Sequence, residues 1–145
     1  MRPLAWMVSL DLSDAYWHVP VHRCFQRFLA IPFQGHPYVF HRLPFGLNIA
    51  PRVFTKLVRQ ALLPLLEKGI TIYYYLDDWV ILAESPDKCL ADLELVVRHI
   101  SDLGFKVNFV KSSLTPTQSL PWVGLVWNTQ LLTITLSAGN RDRLR

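Results

Sequence analysis

Two adjacent carboxylates, Asp77 and Asp78, lie within Ile72-Tyr73-Tyr74-Tyr75-Leu76-Asp77-Asp78-Trp79-Val80-Ile81-Leu82, between two apolar, aromatic and β-branched runs. That pattern predicts a β-hairpin whose tight turn carries the charge. An unpaired carboxylate among such strands is costly, so two side by side call for solvent or a cation. A divalent metal supplies the needed charge in a small space. Hard oxygen ligands that leave room for water and phosphate oxygens suit Mg2+. A third carboxylate, Asp11, stands between Leu10 and Leu12 near the end of an apolar run, an unusual place for a surface charge. If Asp11 joins the pair, the set suits two ions about 3.5–4 Å apart, which activate an attacking hydroxyl and stabilise the leaving oxygen of an in-line phosphoryl displacement. The plainer alternative is a β-turn rich in Asp. It explains one such residue between apolar strands better than two.

Such a site needs acidic residues from two neighbouring strands. Residues 6–12 read as a strand that carries Asp11, and 13–17 as a short helical turn before Pro20 restricts the backbone. Residues 27–33 and 38–42 are extended runs around Gln34-Gly35-His36-Pro37, a hairpin signal. Residues 43–47 form a loop, and Asn48 caps a helix over 49–66 with Pro51 in its first turn. Val53, Leu57, Ala61, Leu62 and Leu65 make its apolar stripe, Pro64 kinks or shortens its end, and Gly69 closes it. Gly46, just ahead of that helix, either lets a substrate approach the backbone closely or is an ordinary turn glycine. Ser85-Pro86-Asp87 opens a second helix to about residue 103, with Ser85 as cap, Pro86 at the first helical position and Gly104 as the stop. Its Leu93, Val96, Val97 and Ile100 face the sheet. Residues 105–109, 119–127 and 131–136 read as strands, the last two joined by a turn at Asn128-Thr129-Gln130. The order predicts an α+β fold, with an antiparallel sheet packed on two helices.

The 145 residues make one domain with a core of its own. A hydrophobic fraction of 51% with five tryptophans is high for a small domain and implies apolar surface meant for neighbours. A net charge of +4 favours a polyanionic partner. Cys24 and Cys89 offer neither a disulfide framework nor zinc-ligand spacing, which fits a reduced intracellular compartment. The longest apolar runs are broken by Asp or Pro, so neither a signal peptide nor a membrane span is expected. His18, His22, His36 and His41 match no metal-site spacing and read as polar residues on strand faces and turns.

Three stretches in order, Asp11-Leu12-Ser13-Asp14-Ala15-Tyr16, Leu43-Pro44-Phe45-Gly46-Leu47-Asn48-Ile49-Ala50-Pro51 and Tyr75-Leu76-Asp77-Asp78, resemble motifs A, B and C of a reverse transcriptase palm. The resemblance extends over nearly the whole chain. Within that family the wording is similar to retrotransposons, the tyrosine-recombinase (DIRS-like) group among them. It implies an incomplete right-hand polymerase fold: a palm over residues 1–145 with part of the fingers base at 20–45, and with the N-terminal fingers and the thumb absent. The activity implied is RNA-directed DNA synthesis. Its cofactor would be a pair of Mg2+ ions, with Mn2+ able to substitute, and its partners deoxynucleoside triphosphates, an RNA or DNA template with primer, and the missing fingers and thumb. The setting would be the cytoplasm or nucleus.

Carried over residue by residue, the resemblance makes Asp11 and Asp77 the most direct metal ligands, with Asp78 supporting them and the Leu12 carbonyl as a further oxygen. Asp14, Ala15, Tyr16, Phe45 and Gly46 would line the nucleotide pocket. Asp14 lies near the triphosphate or caps the turn that follows it. Tyr16 sits beneath the sugar and excludes a 2′-hydroxyl, or is a core residue. Phe45 stands where retroviral enzymes commonly have Gln. Tyr75 and Leu76 would touch the primer end and the template pairing. Residues 104–111 resemble motif D, with Lys111 either a proton donor to pyrophosphate or a solvated lysine. Residues 120–127 resemble motif E, placing Trp122, Gly124 and Leu125 on the primer backbone. A non-catalytic palm remnant that binds nucleic acid or serves as a structural module is the rival reading, and the retention of all three carboxylates speaks against it. An RNA-directed RNA polymerase shares the metal logic; Leu76 in place of Gly, and Tyr16 as a gate, speak against that.

Overall fold

β1 (Trp6–Asp11) is apolar on both faces, and both faces are covered. The computed structural model describes residues 2–141. After β1 come a 3-10 turn (Ala15–His18), α1 (Arg23–Gln26), a second 3-10 turn (Arg27–Leu29), β2 (Ala30–Phe33), β3 (His36–Val39) and α2 (Ala50–Glu67). The chain continues through β4 (Thr71–Tyr75), β5 (Asp78–Ala83), α3 (Pro86–Asp102), β6 (Ser113–Thr117), β7 (Ser119–Trp122), β8 (Leu125–Asn128), β9 (Thr133–Leu136) and α4 (Ala138–Arg141). The central sheet has the order β4-β5-β1-β6 and is antiparallel throughout.

Alternation along the two middle strands divides the core. Val8 and Leu10 of β1 and Trp79 and Ile81 of β5 face one side, where they pack with Phe54, Val58, Leu62 and Leu65 of α2 and Leu93, Val96 and Ile100 of α3. Met7, Val80 and Leu82 face the other side and pack with Ala5, Leu120, Trp122 and Trp127 beneath the small sheet β7-β8-β9. Burying a large aliphatic or aromatic side chain contributes about 1.5–3 kcal/mol, so this double cover is what fixes β1 and β5 at the centre. Thr129 ties the small sheet to the chain ahead of β1: it is fully buried, and its hydroxyl donates to the Ala5 carbonyl at 2.6 Å.

α3 starts where the sequence places it. Ser85 Oγ accepts the Lys88 N–H at 3.2 Å, and Gly104 at φ +93° ends the element. α2 departs from expectation in two respects. Its cap position is Ile49, with no side-chain cap bond, so Asn48 does not cap it. The buried stripe is Ala50, Phe54, Val58, Leu62 and Leu65, which turns Val53 and Leu57 away from the core. Two apolar stripes one residue apart compete on this helix, and the aromatic contact of Phe54 with Tyr16 accompanies the one that is buried.

Four further corrections concern strands. The first hairpin begins at Ala30, because 23–29 coil into helical turns, and its turn is only Gln34-Gly35, both at positive φ, so His36 and Pro37 belong to β3. Residues 105–109 are not a strand; among the described residues they pair with the sheet at one bridge only, Leu12 with Val107. The strand expected over 119–127 folds back on itself at Val123-Gly124 (φ +50° and +73°) to give β7 and β8. A Val-Gly turn hides among β-branched residues where Asn-Gly would have announced itself. β6, with the composition Ser-Leu-Thr-Pro-Thr, reads as loop; Pro116 is tolerated because β6 is the sheet edge.

Candidate active site

Pairing of β1 with β5 sets Asp11 directly opposite Asp78. Asp78 also closes the hairpin against Tyr75, leaving Leu76 and Asp77 as its two-residue turn. The Leu12 N–H donates to the Asp77 carbonyl at 2.9 Å, so the turn is bonded to the end of β1. The three carboxylates foreseen in the sequence therefore share one end of the sheet. Among the described residues no three His, Cys, Asp or Glu side chains form a ready-made metal cage. The acidic group is instead open and half-buried.

Its electrostatics follow from that crowding. Burial, and then the charge of Asp77, push the Asp11 carboxyl above its ordinary range. Asp78 is raised by burial and then by Asp11 and Asp77, while the Lys111 ammonium opposes the rise at both residues. A raised acid holds its proton more tightly in the folded chain than in the unfolded one. The stability it contributes is present at low pH and is lost as pH rises out of the ordinary carboxylate range through the raised values. Without divalent ions, Asp78→Asn is therefore expected to melt a few degrees above the parent chain at neutral pH, and the gap should close below about pH 4. Thermal melts in chelator at the two pH values measure this; a variant that melts lower at neutral pH would show that the carboxylates do not repel.

The turn itself is strained. Leu76 has φ +52°, a left-handed conformation that costs a non-glycine residue about 1–2 kcal/mol. Trp79 holds it there. Its ring is fully buried in the main core, and its Nε1–H donates to the Leu76 carbonyl at 2.9 Å. The residue after the acidic pair is thus a clamp on the turn, a role the sequence did not disclose. Trp79→Phe keeps an aromatic ring but loses the donor and some volume, and is expected to cost about 1–3 kcal/mol. Denaturant titration of the variant checks it; an unchanged midpoint would mean the clamp contributes nothing.

Tyr16 lies in the 3-10 turn after β1, half-buried. Its ring meets Phe45 at 4.9 Å and Phe54 edge-on at 5.7 Å. Burial, then the nearby Asp77 and Tyr75, raise its phenol above the usual range, which places the hydroxyl beside the acidic end of the sheet. Asp14 occupies the cap position of this turn at φ +55° with no side-chain cap bond, so the capping role is not realised and its exposed side chain is uncommitted to the turn. The Ala15 side chain is in the core. Phe45 is 61% exposed, and Gly46 at φ +87° has open space where a Cβ would stand.

Lys111 is exposed, with its N–H on the Asn108 side-chain oxygen at 3.2 Å. Tyr75 is exposed at the hairpin end. The Val123-Gly124 turn is displayed at a tip, and Leu125 pairs with Trp122. The Trp122 ring turns inward against Trp127 at 5.8 Å, and its Nε1–H is buried with no hydrogen-bond partner among the described residues. Three histidines bond the main chain: His18 bonds the Ala15 carbonyl and accepts the Lys106 N–H, His22 accepts the Cys24 N–H, and His99 meets the Ala61 carbonyl.

An antiparallel sheet backed by two helices, carrying carboxylates at the end of β1 and in the adjoining hairpin, is the palm architecture of nucleotidyl-transferring polymerases. The description of the reverse transcriptases (RNA-dependent DNA polymerases) matches residues 2–127, and the chain belongs to that family. It is 32% identical over 131 residues to the Gag-Pol polyprotein of Walleye dermal sarcoma virus, covering 90% of this chain and 7% of the polyprotein. It is 25% identical over 120 residues to Protein P of Duck hepatitis B virus (isolate brown Shanghai duck S5), covering 81% of this chain and 15% of that protein. The foamy viral protease-reverse transcriptase in complex with RNA/DNA hybrid superposes with a TM-score of 0.83 at 26% identity, over 99% of this chain and 19% of that one. This chain thus spans a small part of each relative's length.

Proposed function

We propose that this chain is the palm of an RNA-directed DNA polymerase, with residues 20–45 as part of its fingers base, and that it transfers a deoxynucleotide to a primer 3′-hydroxyl only when joined to fingers and thumb, the 145 residues alone being inactive. The observation that carries the reading is the facing of Asp11 and Asp78 across β1 and β5, with Asp77 in the adjoining turn. These groups fit a divalent ion. Burial and the Asp77 charge raise the pKa of Asp11 and Asp78, the three side chains offer only oxygen, and they leave one side open for water and phosphate oxygens. Asp11, Asp77 and Asp78, with the Leu12 carbonyl, would hold two Mg2+ or Mn2+ ions. Bound there, the metal supplies charge neutralisation and a more acidic attacking hydroxyl.

The remaining residues bind, orient and move protons. Tyr16, held between Phe45 and Phe54, sets the floor under the sugar. Asp14, Phe45 and Gly46 would present an open surface to the nucleotide, and Tyr75, Leu76, Gly124 and Leu125 would meet primer and template, the Trp122 ring being turned inward against Trp127. The hydroxyl gives up its proton to solvent water, its oxygen forms a bond to the α-phosphorus, the bond to pyrophosphate breaks, and Lys111 gives the leaving group a proton. The RNA/DNA hybrid held by the foamy viral protein supports a primed template as partner. The Leu43-Pro44-Phe45-Gly46-Leu47 and Tyr75-Leu76-Asp77-Asp78-Trp79 runs support a place near the tyrosine-recombinase retrotransposons. Two free cysteines support a reducing intracellular setting.

The test uses the 145-residue chain. Mn2+ at ten times its dissociation constant is expected to add about 1.4 kcal/mol of stability, read as a higher melting temperature. The triple variant D11N/D77N/D78N should not respond. An equal response from both proteins would remove the metal assignment.

A further inference from the structure

The ladder between β1 and β6 breaks just before the acidic end of the sheet. Met7 pairs with Thr117 and Ser9 with Ser113, so a step of two along β1 spans a step of four along β6, and the strand pairing does not continue to Asp11. Side-chain hydroxyls take over there. The Asp11 N–H donates to Ser112 Oγ at 3.0 Å, Ser112 Oγ–H donates to the Asn108 carbonyl at 2.7 Å, and the Asn108 N–H donates to the Asp11 carbonyl at 2.7 Å. These three bonds close a ring around the Asp11 backbone. The Asn108 side chain meanwhile accepts the Lys111 N–H, so the same loop sets Lys111.

We infer that Ser112 is a positioning residue for the metal site, fixing the Asp11 carboxylate through its backbone N–H. The inference rests on the metal reading above. Asp11 is the one carboxylate of the three on β1, whereas Asp77 and Asp78 are fixed by the hairpin and by Trp79. Without Ser112 the Asp11 N–H loses its partner at a break in the ladder, and on that edge only the Asn108 bond to the Asp11 carbonyl is left to orient the residue. Loss of a group that orients a ligand typically weakens metal binding about 10- to 100-fold.

A control lies two residues away. Ser9 Oγ accepts the Ser113 N–H at 3.2 Å on the same seam, an equivalent hydroxyl bond that does not involve Asp11. Free Mn2+ is measured by electron paramagnetic resonance in titrations of the full 145-residue chain, alongside thermal melts without metal. Ser112→Ala is expected to weaken Mn2+ about tenfold, Ser112→Thr to restore most of it by keeping the hydroxyl, and Ser9→Ala to leave Mn2+ affinity unchanged whatever it does to the melt. Equal Mn2+ affinity in parent and Ser112→Ala overturns the inference, as does an equal loss in Ser9→Ala, which would mark both serines as merely structural. A parent chain that leaves millimolar Mn2+ free overturns the carboxylate reading itself, and the inference with it.

Discussion

Asp77→Asn is expected to lower nucleotide addition by about two to three orders of magnitude or more while leaving the fold intact. The assay is primer extension by a graft in which residues 2–141 replace the matching segment of the foamy viral reverse transcriptase, which superposes over 99% of this chain. The carboxylate is asked to hold charge where it develops during transfer. The fold does not depend on it, because the hydrogen bond that anchors the turn uses the Asp77 main-chain carbonyl, which Asn retains. Removing one negative charge from a cluster of three also relieves repulsion on Asp11 and Asp78. Asp11→Asn should behave the same way. Extension by either variant near the rate of the unmodified graft would end the assignment.

Tyr16→Ala should shift sugar selectivity in the same graft by about 10- to 100-fold toward ribonucleotides. On the proposed function, a ring packed against Phe45 and Phe54 would exclude a 2′-hydroxyl by its bulk. Truncation makes room. It also removes aromatic packing, so both rates are expected to fall, and the ratio of the two kcat/KM values is the informative quantity. Tyr16→Phe keeps the ring and should keep the selectivity. If the ratio stays constant in Tyr16→Ala, Tyr16 is only part of the core.

Much of the site was legible because its chemistry is local. Asp77 and Asp78 stand out as charge between apolar strands, and the hairpin is determined by pattern; the pattern placed both carboxylates in the turn, whereas pairing of Tyr75 with Asp78 leaves Leu76 and Asp77 there and makes Asp78 the first residue of β5. The Ser85-Pro86 start and Gly104 stop of α3 are equally local, since capping bonds join residues three apart. The convergence of Asp11 with that pair also followed from the motif resemblance, but its register did not. That Asp11 faces Asp78 is set by burial on both sides of β1 and β5, where a slip of one residue would send Val8 and Leu10 to the wrong face.

Other features could be decided only by tertiary structure. Which of two neighbouring apolar stripes α2 buries depends on what lies opposite, and Phe54 meets Tyr16 from a distant part of the chain. Trp79 as a clamp on Leu76 depends on a ring pinned in the core. Ser112 and Asn108 reach Asp11 across about a hundred residues of sequence, through side chains that any polar loop carries. Spacing in the sequence carries no trace of such contacts, because they arise where a strand ladder fails and hydroxyls replace it. The carboxylates were determined by the sequence; what holds them in place was determined by the packing around them.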